Sequence, residues 1–271
     1  MQAEYQKRGI RIPATKICKW LGISRRTFYY KPVRKPKKVD EALTEQIRHL
    51  IQAFPTYGYR RLAVLLKRNR KAVQRILQMK GWQVRKRPQG KRPRVKSKRS
   101  SSPFRNRRWA TDMAMIWCGK DRWCHIAVII DCASREILGW RLSPKGNAKT
   151  AHAALEEALI QRFGHVGHVP GPLVLRSDNG LVFTSKHFTS CVKAYGIEQE
   201  FIEPQRPDQN GIVERFFRSL KEECVWQHRF ESYQHAYAVI DQYIRYYNTA
   251  RPHQALGYQS PVHAALAEPA A

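Results

Sequence analysis

The stretch Trp123-Cys124-His125-Ile126-Ala127-Val128-Ile129-Ile130-Asp131 constrains the fold more than any other part of the chain. Its apolar residues run almost without interruption instead of alternating with polar ones, so a strand here must be covered on both faces. Ala110 to Ile116 reads as a strand before it. Cys132-Ala133-Ser134-Arg135 reads as a tight turn into a third strand, Glu136 to Leu142. Helical spacing then appears over Ala148 to Phe163, and a strand over Leu173 to Arg176. Ser185 to Tyr195 reads as a helix, Glu198 to Ile202 as a short strand, and Gly211 to Trp226 and Tyr233 to Tyr247 as closing helices. Tyr233, Tyr237, Ile240, Ile244 and Tyr247 repeat at intervals of four and three, the spacing of a core-facing stripe. Three meandering strands followed by alternating helices and strands predict an α/β domain, a mixed five-stranded sheet with helices on its faces.

The chain carries a formal net charge of +29, distributed very unevenly. Residues 1–108 hold 33 lysines and arginines against four acids, whereas residues 109–271 hold 17 of each sign. Self-repulsion of that size calls for a polyanionic partner, and nucleic acid is the expected one. No run of about 18 apolar residues is present, so no membrane span is expected. The first residues lack the apolar core of a secretory signal. Six cysteines without a CxxC pair predict reduced thiols, a cytoplasmic protein and no zinc site.

The basic part divides into three segments before the core. Residues 1–35 read as a helix-turn-helix-like segment. Ala14 to Leu21 forms the first helix, Gly22 breaks it, and Ser24 caps a second that carries Arg25 and Arg26. Residues 36–84 read as a helical DNA-binding domain. There Tyr57-Gly58-Tyr59-Arg60-Arg61 precedes a short helix and Asn69 caps Arg70 to Met79. Val73, Ile76 and Leu77 give that last helix an apolar stripe, leaving Arg70, Lys71, Gln74 and Arg75 for a groove or phosphates. Residues 85–108 form a basic linker, and residues 109–271 the core with its C-terminal helix and tail.

Three acids occupy settings that suit chemistry. Asp112 lies in the first core strand, Asp178 follows Leu173-Val174-Leu175 and opens Ser177-Asp178-Asn179-Gly180, and Glu214 stands early in a helix, with 35 residues between it and Asp178. Hard oxygen donors from separate elements suit Mg²⁺, and two such ions can hold both oxygens of an in-line phosphoryl displacement. Mn²⁺ is expected to substitute. Asp131 is the rival acid, ending the second strand. Arg218 and Lys221 share the face of Glu214 within roughly 40° and are expected to contact DNA. His125, His187 and His253 read as packing or surface residues. The chain contains no G-x-S-x-G elbow and no phosphate-binding G-x-x-x-x-G-K-[ST] loop.

Trp109-Ala110-Thr111-Asp112, Ser177-Asp178-Asn179-Gly180 and Pro207-Asp208-Gln209-Asn210-Gly211-Ile212-Val213-Glu214-Arg215-Phe216-Phe217 together resemble the catalytic motifs of retroviral-integrase-like DDE enzymes. Tyr247-Asn248-Thr249-Ala250-Arg251-Pro252-His253-Gln254-Ala255-Leu256-Gly257-Tyr258-Gln259-Ser260-Pro261 resembles the end of insertion-sequence transposases. Leu21-Gly22-Ile23-Ser24-Arg25 and Tyr57-Gly58-Tyr59-Arg60-Arg61 are similar to the N-terminal half of the same bacterial enzymes. The resemblance implies an RNase H-like core with Asp112, Asp178 and Glu214 as catalytic metal ligands. It also implies metal-dependent cleavage at element ends and strand transfer by the freed 3′-hydroxyl. DNA ends and target are the expected partners, together with further copies of the chain and a protein from an upstream reading frame, in a bacterial, chromosome-associated setting. A structure-specific nuclease without strand transfer and a catalytically silent DNA-binding repressor are the alternatives.

Overall fold

The computed structural model describes residues 12–31, 39–84, 102–203 and 207–267; most of the expected linkers, at 32–38 and 85–101, lies outside the described residues. Two compact units are present, Met1–Ala42 and Leu43–Ala271. In the first, α1 (Ala14–Leu21) ends at Gly22, whose φ of 62° is the left-handed cap that glycine adopts without strain. Ser24 then accepts the amide of Thr27 at 3.1 Å and starts α2 (Arg25–Phe28), a helix of one turn.

The second unit begins with α3 (Glu41–Ala53), most of which lies in it. Next come α4 (Tyr59–Leu65) and α5 (Arg70–Lys80). Tyr59, Arg60 and Arg61 open α4, with Gly58 as its N-cap, instead of forming a loop before it. Asn69 caps α5 as expected, accepting the amide of Lys71 at 2.8 Å. Although the sequence reading divides the chain after residue 84, this helical segment and the core form one compact unit. Phe54 stacks on Tyr246 at 5.6 Å, and the hydroxyls of Tyr57 and Tyr246 are hydrogen-bonded at 2.7 Å.

The core is a five-stranded sheet in the order β3-β2-β1-β4-β5. Its strands are β1 (Arg108–Trp117), β2 (Trp123–Asp131), β3 (Ile137–Ser143), β4 (Val174–Ser177) and β5 (Glu198–Phe201). β1, β2 and β3 form an antiparallel meander, while β4 and β5 join parallel to β1. α6 (Ala148–Phe163) and α7 (Lys186–Ala194) cover one face. α8 (Gly211–Glu223) and α9 (Tyr233–Thr249) cover the other, and α10 (Pro261–Ala267) closes the described chain. Among the described residues no helix is long and apolar enough to cross a membrane.

The apolar run of β2 is used as its composition requires. Cys124, Ile126, Val128 and Ile130 enter the core under α8 and α9, while Ala127 and Ile129 enter the core under α6. α6 approaches the sheet through Ala151, Ala154 and Ala158, all fully buried. Gly139 of β3 permits that approach, because a Cβ there would fall on the backbone of Ala154 and Ala158. Gly139→Ala is therefore expected to destabilise the protein by about 1–3 kcal/mol or more through overpacking, measured as a lowered midpoint in denaturant unfolding.

Candidate active site and nucleic-acid interface

Pairing of β1 with β4 brings the first two acids together. Trp109 lies opposite Leu175 and Ala110 opposite Arg176, so the next residue on the same face, Asp112, stands level with Asp178, one position past the end of β4. Ala110 and Ile116 belong to the core beneath α8 and α9, which puts Asp112 on that same face. The Asp112 carboxylate accepts the amide of Met113 at 2.7 Å. Asp178 accepts the amide of Gly180 at 3.0 Å, turning the chain sharply after the strand.

Two polar residues just ahead of α8 fix where its first turn begins. Asn210 donates through Nδ2 to the carbonyl of Thr111 at 3.2 Å, one residue before Asp112. Gln209 offers its carbonyl to Arg176 Nη1 at 2.9 Å and its side-chain oxygen to the amide of Glu203 at 2.9 Å. Arg176 is held in turn by Glu200 on β5, at 2.9 and 2.8 Å. Val213, Phe216, Phe217 and Leu220 bury one side of α8, leaving Glu214 and Arg218 exposed and Lys221 half-buried. The opening of α8 is thus tied to both acid-bearing strands.

Asp112 senses the charges of both other acids. The Asp112 carboxyl is pushed up to about 6, first by burial and then by the neighbouring charges of Asp178 and Glu214. The Met113 amide and Lys221 oppose that rise. A carboxylate raised by burial and by two neighbouring acids suits a hard divalent cation, which would relieve both the repulsion and the desolvation at Asp112.

Asp131 plays a different part. Its side chain lies on the α6 and α7 face, opposite to Asp112, because β2 alternates away from Val128, the partner of Asp112. Fully buried, it accepts the amides of Asn106, Ala133 and Ser134 and the Ser134 hydroxyl at 2.8–3.1 Å. It shapes the β2–β3 turn.

The basic residues fall into several groups. Arg25 and Arg26 are exposed on α2 in the first unit. In the second, Arg60, Arg68, Arg70, Lys71 and Gln74 line an open depression of about 590 Å³, and Arg75 is exposed one turn along α5 from Lys71. Arg60 also lines an adjoining groove of about 300 Å³ with Arg215 and Arg218, so one basic surface runs from α5 to α8. Sequence reasoning missed Arg68 and Arg215, whose only signal was charge. It also missed Arg176, Gln209 and Asn210, which act through partners far away in the chain. Arg218 pairs with Glu222 at 3.0 Å.

Arg61, expected at the DNA surface, lines that groove half-buried and is engaged within the protein as well. It donates to Glu223 at 3.0 Å and lies over the Tyr57 ring at 4.8 Å. Glu223 also receives both arms of Arg251 at 2.7 Å and the Tyr243 hydroxyl at 3.1 Å. Burial alone would raise the Glu223 carboxyl; the Arg251 fork and then Arg61 outweigh it and hold the group below its usual range. His253 accepts from Arg251 at 3.2 Å and is kept neutral, pushed down to about 3 by burial and then by Arg251.

A carboxyl lowered by folding contributes stability that is present above its unfolded pKa of about 4.3 and lost as pH falls through the folded value. Glu223→Gln is expected to cost about 3–5 kcal/mol near neutral pH, since buried Arg251 and half-buried Arg61 lose their counter-charge. It should also flatten the acid limb of a stability–pH profile followed by denaturant unfolding.

Sequence profiles of the integrase core domain match residues 103–207 and 195–261. An uncharacterized 39.2 kDa protein of insertion element IS476 from Xanthomonas euvesicatoria is 32% identical, over 90% of this chain and 70% of its own length. The transposase InsD of insertion element IS2 from Escherichia coli is 28% identical, over 88% of this chain and 83% of its own. A cryo-EM structure of the simian T-cell lymphotropic virus intasome in complex with PP2A regulatory subunit B56 gamma aligns with a TM-score of 0.52 at 17% identity. That alignment covers 82% of this chain and 75% of the other, a likeness of fold.

Proposed function

The chain belongs to the insertion-element transposases built on an integrase core, and we propose that it cuts DNA at the ends of its element and joins the freed 3′-hydroxyls to target DNA. The observation that supports this reading is that Asp112, level with Asp178 across β1 and β4, is raised by the charges of Asp178 and Glu214 and opposed by Lys221, with Arg218 of the same helix lining a groove shared with Arg60. The family depends on divalent metal, and the three carboxylates suit two Mg²⁺ ions, with Mn²⁺ able to replace them. Ions held there would polarise a phosphodiester and lower the pKa of the attacking hydroxyl.

The rest of the chemistry falls to the chain's own side chains. Asp112 and Asp178 approach the reacting phosphate from the sheet, and Glu214 does so from α8. Lys221 and Arg218 set positive charge on the Glu214 side, where the phosphates of the cleaved strand would lie. In the first step water oxygen bonds to phosphorus and the bond to the 3′-oxygen breaks, leaving a 3′-hydroxyl. In the second that hydroxyl attacks a target phosphate and displaces its 3′-oxygen. Neither step requires a covalent bond to the protein.

Arg60, Arg70, Lys71 and Arg75 are proposed to follow the duplex from α5 toward α8, with Arg25 and Arg26 on α2 providing further contacts. Copies of the chain would assemble on paired DNA ends, with a protein from an upstream reading frame as a companion, in the cytoplasm of a bacterium and at its chromosome.

Asp178→Asn should abolish nicking of a DNA fragment carrying the element end while leaving its gel-shift affinity intact; retained nicking would sink the assignment. Lys221→Ala should weaken binding similarly across sequences. It should also lower the slope of log affinity against log salt by about one.

A further inference from the structure

A second cluster of metal-binding side chains lies on the other face of the sheet from Asp112. His152 of α6 and His187 and Cys191 of α7 each offer a ligand atom, and the three atoms lie within 4.8 Å of one another. We propose that these residues form a zinc site, with two imidazoles and one thiolate as ligands and a fourth position open to water.

The donor set selects the cation. Two nitrogens and a sulfur suit borderline-soft Zn²⁺ and not the hard ions that an all-carboxylate cluster attracts. The backbone spacing also serves. His187 and Cys191 are four residues apart on α7 and share one of its faces, while His152 reaches them from α6. In a tetrahedral site the ligand atoms would stand roughly 3.3–3.6 Å apart. The exposed His187 side chain can close the remaining distance by rotating.

His152 is already oriented. Its Nε2 meets the Tyr195 hydroxyl at 2.8 Å and lies 3.6 Å from Glu156, and the Tyr195 hydroxyl donates to Glu156 at 3.2 Å. With Nε2 engaged by the phenol and near the carboxylate, Nδ1 is the ring nitrogen that would take the metal, and outer partners of this kind are what metal-bound histidines have. All six cysteines are free thiols, and five are buried; Cys191 alone is partly accessible. The sequence contains no CxxC because the ligands come from two helices, one supplying a His-x₃-Cys pair. An ion here would pin α7 to α6. α7 starts eight residues after Asp178, so the pin would steady the segment that follows that acid.

Cobalt tests the proposal optically on the full chain, kept reduced. To silence the carboxylate cluster, Co²⁺ is titrated into protein carrying Asp112→Asn and Asp178→Asn. One equivalent should bind with a thiolate-to-cobalt charge-transfer band, and Zn²⁺ should bleach that band. Cys191→Ser should remove the band, and His187→Asn should remove it or require far more cobalt. Tyr195→Phe should weaken binding by about 10-fold or more. Circular dichroism confirms that each variant is folded. Absence of the band in the parent protein overturns the proposal, as does a band that survives Cys191→Ser.

Discussion

A one-residue slip of β4 against β1 would turn Asp178 to the opposite side of the sheet from Asp112, so the parallel pairing of Ala110 with Arg176 is the contact on which the acid cluster depends. That pairing is short and needs support from outside the strands. Arg176 supplies much of it from within β4. Its guanidinium holds Glu200 of β5 on one side and the carbonyl of Gln209 on the other. The residue that registers the strands therefore also registers the helix bearing Glu214. Asn210 completes the arrangement by fastening the same helix start to Thr111. Register, helix position and acid convergence form one mechanical problem, solved by buried hydrogen bonds of named partners.

Much of this was legible in the sequence because the decisive signals were local. The uninterrupted apolar run of β2 required cover on both faces, and the two cores flanking it provide that cover. Helix starts at Ser24 and Asn69 follow from side chains that cap their own backbone within three residues. Asp112 stands out from Asp131 only once strand alternation is combined with a neighbour. Both lie in strands, but one faces α8 and the other is consumed by its own turn.

What the sequence could not reveal is pairing across long separations. Arg61 and Glu223 are 162 residues apart, and neither carries any local sign of the other. A charge count gives no sign that Arg61, at the edge of the basic groove, also neutralises a buried carboxylate. The same limit hid the association of α3–α5 with the core, which rests on Phe54, Tyr57 and Arg61 meeting residues of α8 and α9. It also hid the His152, His187 and Cys191 cluster, whose members come from two separate helices.

The Glu223 hub gives the uneven charge distribution a structural meaning. A helical segment carrying a large positive excess would resist packing on anything but an anion. The core nevertheless holds it with a single buried carboxylate, already engaged by Arg251, and with stacked aromatic rings. Only one arginine of α4 is drawn inward by that contact. Arg60, next to it in sequence, stays exposed and lines both the depression beside α5 and the groove beside Arg218. The attachment thus spends little of the positive charge while aligning the rest with the helix that bears Glu214. A duplex following that surface would be led toward the three acids by phosphate contacts alone, whatever its sequence.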